Sequence, residues 1–267
     1  MNRSQAIASS ILVTAFFFAA PIHSAPAQRS EAPRRNLPEI PDVAREDAIG
    51  FAYYTVNRDV LKLTAQLYPL LDGESREVTL AIKAGDGWET VATTRVSEDP
   101  YNNYRQDKTW TAHFRVEKWD DRRTVPYRVT ALGGVATYQG SIRANPVGKR
   151  EIVVAAFTGN SNQDRRLKPE LIANLKAQDP DLLFFSGDQV YDHTDHLGAW
   201  LLFGRQFGEI IKDRPMISIP DDHDVGQANL WGAGGKVSTN SAGDDGGYFM
   251  PVEYVKEIGR ASCRERV

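Results

Sequence analysis

A single cysteine, Cys263, stands in a chain of 267 residues, so no internal disulfide framework can staple the fold. Long runs of one charge are missing too. A net charge of -3, with no extended Lys/Arg stretch, creates no field that would gather nucleic acid or hold the chain on an acidic membrane surface. The unbroken run of apolar and small residues at 11–20 (ILVTAFFFAA) is too short to cross a bilayer as a stable anchor. Internal repeats are absent. What remains is ordinary globular material: 41% hydrophobic and 25% charged residues supply a core and a solvated surface, in a length that suits two domains.

That short apolar run follows Asn2-Arg3 and precedes Ala25-Pro26-Ala27. A positive start, an apolar centre and a small-x-small site are the parts of a secretory signal peptide, here residues 1–27. Such a leader places the mature chain in the periplasm or outside the cell. Residues 28–45, rich in Pro, Arg and Glu, cannot bury enough apolar surface to fold and are expected to be a flexible leader.

Between 46 and 147 the apolar residues alternate. The segments 60–68 (VLKLTAQLY), 77–83 (EVTLAIK), 109–116 (TWTAHFRV) and 125–132 (VPYRVTAL) all have period two, and Asp72-Gly73, Gly85-Asp86-Gly87 and Gly133-Gly134 separate them. Six or seven short strands spaced this way predict an all-β antiparallel sandwich of the immunoglobulin or fibronectin kind. No convergent set of ionisable residues occurs here. His113, flanked by apolar neighbours, is expected to be a structural strand residue.

After Pro146-Val147-Gly148 the period changes. Residues 152–157 (IVVAAF) form a continuous apolar run suited to a strand buried on both faces. Residues 167–178 place Leu167, Leu171, Ile172 and Leu175 on one helical face, with Pro169 near the start where its missing N–H costs little. A second buried strand is expected at 181–186 (DLLFFS), a second amphipathic helix at 197–211, and a third strand at 216–219 (MISI). Strand, helix, strand, helix, strand predicts an α/β unit with a mainly parallel sheet over 148–258.

In a parallel sheet, ligands bind where the carboxyl ends of the strands emerge. Here those ends are followed by Thr158-Gly159-Asn160-Ser161-Asn162, by Gly187-Asp188-Gln189-Val190-Tyr191-Asp192-His193, and by Asp221-Asp222-His223-Asp224. From Asp188 to Asp224 there are eight acidic side chains against three basic ones, Arg205, Lys212 and Arg214. Carboxylates gathered in that excess repel one another unless cations sit among them. Three of the five histidines, His193, His196 and His223, fall in the same window. Together these features point to a metal centre.

The stretches Ser186-Gly187-Asp188-Gln189-Val190-Tyr191 and Pro220-Asp221-Asp222-His223-Asp224 resemble the calcineurin-like metallophosphoesterases, and most closely their PhoD-like (alkaline phosphatase D type) branch, which carries a sandwich domain ahead of the catalytic one. The resemblance spans residues 50–250. It implies a hydrolase of phosphate mono- or diesters that uses water activated by two metals. Under it, Asp188 is the aspartate that bridges two metals, and Tyr191 a tyrosinate ligand suited to Fe(III). Asp222 is a ligand of the second metal, and His223 meets the phosphate or protonates the leaving oxygen. Asp224 joins the catalytic set by orienting His223 or the neighbouring loops, and Gln227, Asn229 and Trp231 shape the pocket. The implied cofactor is a dinuclear centre of Fe(III) with Ca, Zn, Mn or another divalent ion, and the implied partner is a phosphate-ester substrate.

The first strand end departs from that pattern. Where relatives place Asp-x-His, or a cysteine, this chain has Asn160 and Asn162, which could ligate a metal only through neutral amide oxygens. His193 and His196 have no counterpart and are expected at the surface or behind the ligands. Relatives complete both metal sites with downstream histidines, whereas no histidine follows His223. Residues 259–267 (GRASCRERV) break the preceding apolar pattern and have the look of a non-native tail on a C-terminally truncated catalytic domain. Such a fragment is expected to be poorly packed on the open side of its sheet and inactive alone. An alternative of another class stays open: a secreted binding or wall-associated protein built on a degenerate phosphatase domain.

Overall fold

The computed structural model describes residues 38–101, 106–160, 164–191, 195–225, 236–239, 245–248 and 250–262. The expected signal peptide and most of the leader lie outside them, as do Asn162, His193, Gln227, Asn229, Trp231 and Cys263.

Seven strands form the first part: β1 (Ile49–Asn57), β2 (Val60–Leu67), β3 (Glu77–Ala84), β4 (Gly87–Arg95), β5 (Thr111–Val116), β6 (Val125–Ala131) and β7 (Ala136–Ile142). They pair antiparallel into two sheets, ordered β1-β2-β5 and β4-β3-β6-β7. Alternation along β6, with Val125, Tyr127, Val129 and Ala131 buried and Pro126 exposed, reflects a sheet with one face on a core and one toward water. Leu61 and Leu63 from β2, Val78 and Leu80 from β3, Phe114 from β5 and Val129 from β6 meet in one apolar cluster between the two sheets. His113 lies on β5 between hydroxyls, its Nδ1 3.0 Å from Thr64 Oγ1 and its Nε2 3.0 Å from Thr111 Oγ1.

The second part is built from β8 (Val154–Phe157), α1 (Pro169–Gln178), β9 (Leu182–Phe185), α2 (His196–Ile211) and β10 (Met216–Ser218), followed by α3 (Val252–Ser262). The three strands are parallel, ordered β10-β9-β8. Pro169 opens α1, and Asp179 ends it in a left-handed conformation at φ 48°.

α2 joins the two parts because it is apolar nearly all round; fourteen of its sixteen residues are buried. β1 works from the other side, its alternate residues facing different cores. Ala52 and Tyr54 point into the sandwich, while Phe51 and Tyr53 pack with Trp200, Phe203 and Phe207 of α2. The Phe51 ring sits 5.5 Å from that of Trp200. This approach requires Gly204, where an added Cβ would lie 2.0 Å from the Phe51 ring.

Two expectations are corrected here. The run 152–157 is not buried on both faces: Ile152, Val153 and Val154 are exposed, and only Ala155 and Phe157 pack against the core. β8 lies at the edge of its sheet, and a continuous apolar run gives no sign of being at an edge. On α1, Ile172 and Leu175 are buried but Leu167 and Leu171 are exposed, because the helix begins only at Pro169 and meets the core along a narrow stripe.

Candidate metal centre

The register of the parallel sheet sets Phe157, Phe185 and Ser218 side by side, so the three loops that follow leave at one edge. Parallel bonding continues past the first two strands: Ser186 N donates to Phe157 O at 2.9 Å and Asn160 N to Asp188 O at 2.9 Å. Beneath this edge Phe157 stacks on Phe185 at 4.8 Å, and Phe185 meets Phe207 edge-on at 5.4 Å. Side chains held on such packed elements keep their positions.

Gly187 lets the second and third loops meet. Its φ is 111°, and an added Cβ would fall 2.3 Å from Asp221 Cβ. Asp188 follows with φ 58°, a left-handed conformation that aspartate tolerates better than most residues. Asp224 holds that backbone in place. One of its oxygens accepts from Asp188 N at 2.7 Å and Asp221 N at 3.0 Å, the other from Val190 N at 2.8 Å. Burial pushes the Asp224 carboxyl up to about 7 against the pull of those three donors. Asp224 therefore ties the two loops together through backbone N–H groups. Both of its oxygens are committed there, so the structure gives it a positioning role, apart from the groups that could meet a substrate.

Asp188, Asp222 and His223 are brought together. Each offers a ligand atom, and these atoms lie within 4.8 Å of one another. All three residues are half-buried. Tyr191 completes the group: its hydroxyl donates to Asp188 Oδ2 at 3.1 Å, and its ring lies 4.4 Å from the His223 imidazole. Burial, followed by the Asp222 carboxylate, raises the Asp188 carboxyl, while His223 and Tyr191 act in the opposite sense. Burial and then Asp188 push the Tyr191 phenol up to about 12. The decisive detail is Asp188 Oδ1, which is buried with no hydrogen-bond partner. A carboxylate oxygen left bare beside another carboxylate costs free energy that a cation would recover. The donor set of carboxylates, imidazole and phenol suits a hard or borderline metal ion, so these residues fit the expected group.

Asn160 meets Asp188 through the backbone, its N–H donating to Asp188 O at 2.9 Å, while its side-chain amide donates to Gln206. His196 does not lie near the surface. It opens α2, fully buried against the rings of Tyr101 at 5.0 Å and Tyr254 at 6.1 Å, and burial pushes it down to about 3. The sequence reading missed Gln206, which is buried on α2 and accepts from Asn160 Nδ2 at 3.1 Å. Its signal was a polar residue inside the apolar stripe that carries Phe203, Phe207 and Ile210.

Similarity to solved structures bears on this geometry. PhoD matches with a TM-score of 0.50 and 13% identity, over 76% of this chain and 44% of that one. Purple acid phosphatase PPD1 from yellow lupin (Lupinus luteus) seeds matches with a TM-score of 0.54 and 16% identity, over 81% of this chain and 40% of that one. The chain shares the fold of these two proteins over the matched length. It spans less than half the length of either. No protein-family model matches the sequence, and no curated protein does.

Proposed function

We propose that this chain carries the metal-binding edge of a phosphoesterase, with Asp188, Tyr191, Asp222 and His223 as its reactive group and Asn160 as a neutral neighbour. The observation that carries the reading is the bare, buried Asp188 Oδ1 within a cluster whose ligand atoms lie within 4.8 Å of one another. Asp188 and Asp222, with Tyr191, would hold a metal pair that, when bound, supplies Lewis-acid charge and an activated water. His223, against the Tyr191 ring, would give a proton to the leaving oxygen of the ester. Asp224 holds the loops of both carboxylates in one register. The same residues serve mono- and diesters. The phenol of Tyr191 beside these carboxylates, a hard donor set, supports Fe(III) with a divalent ion as the metal pair.

The sandwich strand orders, β1-β2-β5 and β4-β3-β6-β7, support an immunoglobulin or fibronectin-like module over 46–147, followed by the catalytic part over 148–258. The signal-peptide pattern of residues 1–27 supports a periplasmic or extracellular location.

Metal content and phosphate release from mono- and bis-aryl phosphates, measured on the wild type and on Asp188→Ala, test the reading. Stoichiometric metal in the wild type and its loss in the variant are expected. A wild type that takes up no metal, or phosphate release that survives in Asp188→Ala, would refute it.

A further inference from the structure

Gln206 occupies an unusual place for a polar side chain, 2% exposed within the apolar face of α2. Its Nε2 donates to two backbone carbonyls, Asp164 O at 2.8 Å and Arg166 O at 3.1 Å. Carbonyl oxygens can only accept, so the amide of Gln206 has one allowed orientation, with Oε1 on the other side. That oxygen faces Asn160, which must therefore present its NH2 group, and Nδ2 does lie 3.1 Å away. Two exchangeable amide ends are thus fixed in sequence by two groups with a single hydrogen-bonding sense. The consequence for Asn160 is that its carbonyl end, Oδ1, is turned away from α2.

Asn160 is also held against the metal-binding edge. Its backbone N donates to Asp188 O at 2.9 Å. Gly159 beside it passes under the Tyr191 hydroxyl, which an added Cβ would approach to 3.3 Å. We propose that Gln206 is a positioning residue of the metal centre: it dictates that the loop after β8 contributes the neutral amide oxygen of Asn160 as a metal ligand. This inference rests on the metal-site reading above. It also accounts for asparagine rather than aspartate at 160, because an aspartate would set a second acceptor against Gln206 Oε1. Outer groups that orient a ligand commonly change metal affinity by about 10- to 100-fold when removed.

Titration of the metal-free full chain with Mn(II), followed by calorimetry, tests this. Asn160→Ala and Gln206→Leu are each expected to weaken binding by about tenfold, and the double variant to be no weaker than either. Gln206→Glu, when ionised, keeps an acceptor for Asn160 Nδ2 while giving up both bonds to the Asp164 and Arg166 carbonyls, and is expected to bind Mn(II) within about threefold of the wild type. If Gln206 merely braces residues 164–166, Gln206→Glu will bind as weakly as Gln206→Leu, or the two losses will add in the double variant; either result overturns the proposal. So does unchanged binding by Asn160→Ala. Should Gln206→Leu fail to fold by circular dichroism, Gln206→Glu against Asn160→Ala still decides. A wild type that takes up no Mn(II) overturns the metal reading itself, whereas normal wild-type binding with an indifferent Gln206→Leu overturns only the role of Gln206.

Discussion

The sandwich core and the strand-end edge differ in the charge of the polar groups they bury without a partner. In the sandwich, His113 lies between two threonine hydroxyls, and Gln66 donates to the carbonyls of Leu67 and Thr109 at 3.0 and 2.9 Å; Gln66 Oε1 and the Tyr127 hydroxyl are buried without a partner there, but both are neutral. At the strand-end edge a buried carboxylate oxygen of Asp188 has no hydrogen-bond partner, and Asp222 stands beside it. The neutral groups of the first region carry only the cost of a dipole without a partner. The other is held in an unfavourable arrangement by its surroundings, chiefly by Asp224 and the close approach at Gly187. Sites assembled to bind something are commonly destabilised in its absence. The comparison therefore teaches where a ligand belongs: at the place where the fold tolerates repulsion it could have avoided.

The largest effect expected from a buried group concerns His196, which opens α2 and packs against the rings of Tyr101 and Tyr254. Burial holds its imidazole neutral down to about 3, while in the unfolded chain it takes up a proton below about 6.5. Above pH 6.5 both states are neutral and the group makes no difference. As pH falls toward 3 only the unfolded state gains the proton, so stability declines, by about 4 kcal/mol in total. Urea denaturation of the wild type and of His196→Phe between pH 7 and pH 4 checks this. The wild type should lose stability steadily, and the variant should lose markedly less.

Next in size is Leu63→Ala. Leu63 is 1% exposed in the sandwich core, and truncation there should cost about 3 kcal/mol. The loss should be the same with and without metal, because the residue belongs to the cluster between the sheets. A loss that changes on adding Mn(II) would break the separation drawn between the two regions.

Asp224→Asn probes the tie between the loops. An amide offers one accepting oxygen in place of two and turns an NH2 toward a backbone N–H. The expected cost is about 2 kcal/mol, read by denaturation, together with weaker Mn(II) binding. Unchanged metal affinity would mean that the loops keep their register without Asp224.

How far the sequence could be read follows from the same contrast. Period-two segments such as 77–83 and 125–132 gave strands within a residue of those observed, because alternation reports directly on a sheet with one wet face. The edge residues Asp188, Asp222 and His223 were also legible, since a parallel sheet brings its strand ends together whatever the details of its helices. Residues 152–157 misled because periodicity shows which residues could be buried and is silent on whether anything lies against them. His196 misled in the opposite way, and Gln206 passed unnoticed. Each is a polar residue on a helix, and only the packing of Tyr101 and Tyr254 around one, and of the 164–166 backbone and Asn160 around the other, shows that both are interior.

The smallest effect is the most discriminating, because its sign should be the reverse of the others. Burial and Asp222 raise the Asp188 carboxyl, so in the metal-free protein at neutral pH its charge works against the folded state. The sign follows from linkage: a carboxyl raised in the fold makes the fold gain stability as pH falls and the proton binds. Asp188→Asn removes the charge while leaving an oxygen for the Tyr191 hydroxyl, and should make the metal-free protein more stable by about 1 kcal/mol. In a thermal melt that is a rise of roughly 2–4 °C for a chain of this size. Saturating Mn(II) should reverse the order. At 100 times its dissociation constant a ligand stabilises the wild type by about 2.7 kcal/mol, and the variant, lacking the charged oxygen, should gain far less. If metal-free Asp188→Asn melts below the wild type, the bare carboxylate is not a cost to the fold. The strand-end edge would then be as settled as the sandwich, and the argument that a cation belongs there would lose its energetic basis.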